Sequence, residues 1–146
     1  MPLLHLAFAP ALVFLAACTN DAGLSDRLEQ LAANKVGRFV DIGIATPFAW
    51  DEMTGFGPYY PKEHACKELN LSAWGCFWLS YPKPDDAAPS LIAFLNGGEL
   101  VATAQIPRCG VHVFRSSRNK TPRTAKFVAY RDEAHCKEGL LVLKQV

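Results

Sequence analysis

Two apolar runs, Ser90-Leu-Ile-Ala-Phe-Leu95 and Glu99-Leu-Val-Ala-Thr-Ala-Gln-Ile106, are separated only by Asn96-Gly97-Gly98. Asn and Gly tolerate the positive φ that a tight turn demands, so this stretch is constrained to fold back on itself as a β-hairpin. A hairpin so nearly apolar along both arms must be covered by other elements, and the rest of the chain has to supply them.

Further strands are expected at Lys126 to Arg131 and at Gly139 to Lys144, the latter carrying Leu140-Leu-Val-Leu143. Arg38-Phe-Val-Asp-Ile-Gly-Ile-Ala45 and Trp74-Gly-Cys-Phe-Trp-Leu79 are rich in β-formers and also read as strands. Leu24, Leu28, Leu31, Ala32 and Val36 recur at helical spacing, with Ser25 placed as a cap and Gly37 as a stop. A second short helix is expected from Pro61 to Leu69, because proline suits the first helical position and an acid, Glu63, stands in the first turn. Thr46 to Pro61 and Tyr81 to Pro89 read as irregular. No repeat or linker divides the chain, so these elements predict a single α+β domain over 26–146 with an antiparallel sheet and about two helices.

The first 17 residues are of another kind: only Pro2, His5 and Pro10 interrupt an apolar run. The run is too short to span a bilayer, which takes about 20 apolar residues, and Pro10 would break a helix interior. It ends in Leu15-Ala16-Ala17-Cys18, which resembles the lipobox of bacterial lipoproteins, where an aliphatic and two small residues precede a cysteine. The start of the run departs from secretory signals in having no Lys or Arg. The resemblance implies that residues 1–17 are a signal peptide, that Cys18 carries a diacylglycerol thioether and acyl chains such as palmitate, and that 18–25 tether the domain. Thr19, where an Asp would resemble an inner-membrane retention signal, implies a place on the outer membrane facing the periplasm.

The charged residues, 15 basic and 14 acidic, all follow Cys18 and nearly cancel, so bulk charge gives no reason to expect a nucleic-acid partner. Four cysteines remain after Cys18: Cys66, Cys76, Cys109 and Cys136. An even number in an exported domain points to two disulfides, with three connectivities open. The short excursion between Cys66 and Cys76 favours that pair, which leaves Cys109 with Cys136; free buried thiols are the competing reading.

Phe48, Trp50 and Asp51, then Phe56, Pro58 and Tyr59, then the helix from Pro61, and last the hairpin ending in Pro107-Arg108, follow one another in order. This order resembles a group of small bacterial envelope proteins, many of them lipoproteins, that share Phe-x-Trp-Asp and Phe-x-Pro-Tyr segments. The resemblance covers roughly residues 38–110, and the chain departs from it with Tyr60 where the group often has a capping Thr. The group brings no activity with it. Read from the residues, Phe48, Trp50, Asp51, Tyr59 and Arg108 are candidates for a binding surface, since aromatics and Arg dominate recognition hot spots. Against this stands a buried aromatic core closed by an Asp51–Arg108 pair or a backbone cap.

No Cys-x-x-Cys or His-Glu-x-x-His pattern is present, and His64 lies beside Cys66, and His135 beside Cys136, without metal-ligand spacing; neither a metal nor another cofactor is expected. Gly-x-Ser-x-Gly is also absent. Asp85-Asp86 and Asp132-Glu133 are neighbouring acids in loops. Asn70-Leu-Ser72 matches a glycosylation sequon by chance composition. Arg115, Arg118, Lys120, Arg123 and Lys126 fall in a stretch without acids, which suits either a solvated loop or contact with anionic headgroups. The function expected is a membrane-tethered, non-enzymatic envelope module that binds an envelope protein or surface polymer. The alternative is a small periplasmic hydrolase using a Cys/His or paired-acid site.

Overall fold

A computed structural model describes residues 19–83, 89–114 and 120–146. The domain is α+β and dominated by its sheets. The expected hairpin forms its centre: β4 (Ser90–Asn96) and β5 (Glu99–Ile106) pair antiparallel, with Gly97 and Gly98 at φ of 58° and 84° in the turn. Between β4 and β5 the register shifts at Phe94/Leu95, so Phe94 faces Ala102 but Leu95 faces Leu100. Such a bulge turns the strand over locally. Leu100 thereby joins the cluster on one face of the sheet while Ala102, Ala104 and Ile106 serve the other.

Three further strands complete the first sheet. β1 (Thr19–Asn20) runs parallel to β5 at one edge, β3 (Glu52–Phe56) pairs antiparallel with β4, and β7 (Thr121–Pro122) closes the far edge, giving the order β1-β5-β4-β3-β7. The second sheet has the order β2-β8-β9-β6, from β2 (Phe39–Val40), β6 (His112–Phe114), β8 (Phe127–Asp132) and β9 (Leu140–Gln145). α1 (Leu24–Ala33) presents Leu24, Leu28 and Ala32 to a core shared by both sheets, including Met53, Phe94, Phe127 and Leu143. α2 (Lys62–Glu68) and α3 (Ala73–Trp78) cover the opposite face of the first sheet, where Ala65 and Leu69 meet Phe56, Leu91, Leu95 and Leu100. β4 is therefore buried on both faces, which explains its unbroken apolar run.

Several expectations are corrected. Residues 19–25, read from sequence as part of a tether, include β1 and the first two residues of α1. Thr19 and Asn20 are already in the sheet, the Asp21 amide donates to the Thr103 carbonyl at 2.8 Å, and Asp21 pairs with Arg27. The cap of α1 is not Ser25, which is buried inside the helix, but Gly23, whose amide donates to the Asp21 carboxylate at 3.1 Å in the turn before the helix. The helix ends at Ala33, so Val36 falls beyond it and is exposed.

The strand expected through Ala45 stops at Val40, because the Asp41 side chain accepts the Gly43 amide and starts a 3-10 helix over Ile42–Ala45. The segment 46–61, expected to be irregular, contains β3. Trp74 to Trp78 is helical, not extended, and only Leu79 leaves the helix in an extended conformation: Ser72 caps α3 by accepting the Gly75 amide at 3.1 Å, so the described residues form three α-helices where about two were expected. Among the described residues no helix is long and apolar enough to cross a membrane. The signal segment and Cys18 lie outside the described residues.

Candidate functional site

The five sequence-derived site residues do not converge. Trp50 is 7% exposed; its indole N–H donates to Thr46 Oγ1 at 2.7 Å, and its ring meets Phe94 edge-on at 5.1 Å. Phe48 contacts Phe94 in the same way, at 5.3 Å. Trp50 belongs to the core, and Phe48 is partly buried against it. Asp51 sits beside the hairpin turn, where Oδ2 accepts the Gly97 amide at 2.9 Å. Arg108 follows the other end of β5, and its carbonyl accepts from the His112 ring at 3.0 Å. The length of β5 separates them, roughly 25 Å at strand rise. Asp51 and Arg108 therefore do not close the aromatic core. The cation over Trp50 is Arg123, 5.1 Å from the ring centroid. Of the five, Tyr59 alone offers a broad aromatic surface, with 66% of its area exposed and φ at 69°.

Tyr59 borders a groove of about 550 Å³ between the start of α2 and the segment after α3, lined by Tyr60, Lys62, Tyr81, Pro82 and Lys83 among others. Its size is in the usual range for ligand sites. The Tyr81 hydroxyl donates to the Tyr60 carbonyl at 2.8 Å, and the Tyr60 hydroxyl donates to Glu68. Burial, reinforced by the neighbouring Tyr60 and Glu68, pushes the Tyr81 phenol up to about 12. The hydrogen bond to Glu68 also raises Tyr60 above the ordinary phenol value. Both phenols stay protonated in ordinary conditions. The groove accordingly offers ring faces, hydroxyls, two lysines and the Glu63 carboxylate, a set that can hold a polar ligand.

Next to the groove, α3 carries an aromatic patch. Trp74, Phe77 and Trp78 are 70%, 69% and 65% exposed, and their rings pack on one another at centroid distances of 5.2 to 6.0 Å. Two features hold this short helix in place: the Ser72 cap and the disulfide between Cys66 of α2 and Cys76 of α3. The Lys62 ammonium donates to the Phe77 carbonyl at 3.5 Å. Sequence reasoning missed this patch because Trp74 to Leu79 read as a half-buried strand. The available signal was the spacing Ser72-x-x-Gly75, a cap followed by more rings than a six-residue helix can bury on one side.

The remaining candidates are structural. Cys109 and Cys136 form the second disulfide, so all four cysteines after Cys18 are oxidised in the pairing expected from their spacing. Sulfur in a disulfide is no thiolate nucleophile. Asp132 accepts the Ala134 amide at 3.0 Å and pairs with His135 Nδ1 at 3.0 Å; the amide first, then His135, lowers its carboxyl below the ordinary value. Among the described residues no group of three or more His, Cys, Asp or Glu could hold a metal ion. Within the basic segment, Arg123 binds Asp41 at 2.7 Å and Lys120 lies 3.8 Å from Glu52, so these two cations serve the fold. Arg115, Arg118, Asp85 and Asp86 lie outside the described residues. The chain matches no protein-family model, no curated protein and no solved structure.

Proposed function

We propose that this protein is a lipid-anchored envelope module, held by Cys18 on the outer membrane, that binds a surface polymer or protein in the tyrosine groove without transforming it. The observation that carries the reading is the groove itself: exposed Tyr59 beside protonated, hydrogen-bonded Tyr60 and Tyr81, with Lys62 and Lys83 at its walls. Aromatic faces and fixed hydroxyls bind sugars and peptide backbones alike, and rigid rings lose little entropy on binding. The lipobox-like Leu15-Ala16-Ala17-Cys18 supports the anchor, because two or more acyl chains give stable membrane attachment.

Two measurements test the two halves separately. Metabolic labelling with palmitate should mark the wild type and not Cys18→Ser; equal labelling of both overturns the anchor. A photo-reactive phenylalanine analogue at position 59 should give a discrete cross-linked species in intact cells, reduced severalfold when Tyr81 and Lys83 are replaced. Cross-linking that is absent, or indifferent to those replacements, overturns the groove.

A further inference from the structure

The aromatic patch on α3 is separate from the groove, and the protein must tolerate it in water unless something covers it. Monomeric domains rarely leave contiguous apolar area exposed without a binding role. The composition is informative: two tryptophans, a phenylalanine, and a lysine ammonium at the carbonyl of Phe77. Tryptophan and lysine together are the residues that settle at the boundary between headgroups and acyl chains.

The beginning of the described chain supplies the second argument. Thr19 is paired with Ala102 of β5, and Cys18 is its immediate neighbour, so lipid on Cys18 would be joined to the edge of the sheet with no intervening linker. Ser80, two residues past α3, accepts a hydrogen bond from Gln105, three residues farther along that same strand. Three residues of strand span about 10 Å. The anchor point and the segment that leaves α3 are thus both held at the β1–β5 edge of the sheet. Acyl chains entering the bilayer at Cys18 bring that edge down to the headgroups.

We propose that Trp74, Phe77 and Trp78 insert into the interfacial zone of the membrane that holds the anchor, fixing the orientation of the domain on the lipid surface. The inference rests on lipidation at Cys18. Its consequence is a two-point attachment in which the disulfide-held helix, rather than a flexible tether, sets which face of the domain looks away from the membrane.

The test uses the full mature protein on phosphatidylethanolamine/phosphatidylglycerol vesicles containing lipids brominated near the headgroup. Bromine should quench the tryptophan emission roughly twofold, since two of the three tryptophans are in the patch and interfacial rings lie at that depth. The variant Trp74→Phe/Trp78→Phe, which keeps Trp50, should show no quenching. Unquenched wild-type protein that still sediments with the vesicles overturns the insertion and leaves the anchor standing. If mass analysis finds Cys18 without acyl chains, the anchor reading fails, and bromine quenching on adding vesicles to that protein decides the insertion independently. Two further results would also overturn it. One is a dimer in solution that Phe77→Ser/Trp78→Ser makes monomeric, which would mean a second copy covers the patch. The other is quenching of a tryptophan introduced at Phe39, in the exposed Phe39/Ile44 patch, greater than that of Trp74 and Trp78.

Discussion

Arg123 lies over the ring of Trp50, 5.1 Å from its centroid, while the same guanidinium binds Asp41 at 2.7 Å. One side chain thus roofs the aromatic core and ties it to the start of the 3-10 helix. The Arg123 backbone amide also donates to the Asp51 carbonyl at 2.6 Å, so the segment after β7 is held by main chain at the entry to β3 and by side chain at Asp41. A Cβ at Gly43 would fall 1.5 Å from the Arg123 guanidinium, so that glycine leaves the space the cation occupies.

This arrangement makes Trp50 a stability residue and Tyr59 a surface residue, although both belong to one aromatic-rich stretch. Trp50→Ala should cost about 3–5 kcal/mol, the usual range for deleting a large buried ring. Tyr59→Ala should stay within about 0.5 kcal/mol, as exposed substitutions do. Thermal melts compare them directly, and equal losses from the two variants would contradict the division.

The disulfides should stabilise in proportion to the loops they close. Separations of 10 and 27 residues for Cys66–Cys76 and Cys109–Cys136 translate, by chain entropy, into about 2.5 and about 3.5 kcal/mol. Replacing each pair by serine and measuring urea unfolding tests that order. Alkylation of the unreduced protein at any of the four positions would show that the corresponding bond is missing.

What the sequence conveyed depended on whether the deciding physics was local. The Asn96-Gly97-Gly98 turn, the strands β8 and β9 and the α1 apolar stripe follow from adjacent residues, and they were legible. The cysteine pairing was legible because one loop is short. β3 was not: its burial comes from being flanked by β4 and β7, strands that arrive from distant sequence. α3 was misread because Trp, Phe and Trp favour strands on average, whereas here a single serine cap and a disulfide decide the conformation. The candidate site inherited both failures. Phe48 and Trp50 were indistinguishable from surface rings until the sheet that buries them was known, and the exposed rings of α3 were assigned to a strand face.

Tyr81 should ionise well above the ordinary range of a tyrosine. Burial holds its phenol at about 12 in the folded protein, against an ordinary value of 10.0. A raised acid binds its proton more tightly in the folded state, so this stabilisation is complete below pH 10 and is lost as pH rises from 10 towards 12. Ultraviolet titration of wild type and Tyr81→Phe should differ by one late-ionising phenol. Superimposable curves above pH 10 would show that Tyr81 is not shielded.

The cap on α3 gives the most local prediction. Ser72 is extended, at φ −64° and ψ 164°, and its hydroxyl accepts the Gly75 amide that the first helical turn leaves unpaired. Ser72→Ala removes that acceptor and should cost about 1 kcal/mol, while Ser72→Thr should retain most of it. Because Cys76 remains bonded to Cys66, the loss should appear as fraying within α3 rather than as global unfolding. Amide exchange at Gly75 to Trp78 should therefore accelerate about fivefold, the factor for 1 kcal/mol, with little change in melting temperature. In the Ser72→Ala variant lacking the Cys66–Cys76 bond, the helix loses both supports, and the rings of Trp74 and Trp78 should lose their mutual near-ultraviolet circular dichroism. Unchanged exchange in Ser72→Ala would mean that the disulfide alone holds the helix, and that the cap contributes nothing to presenting its aromatic face.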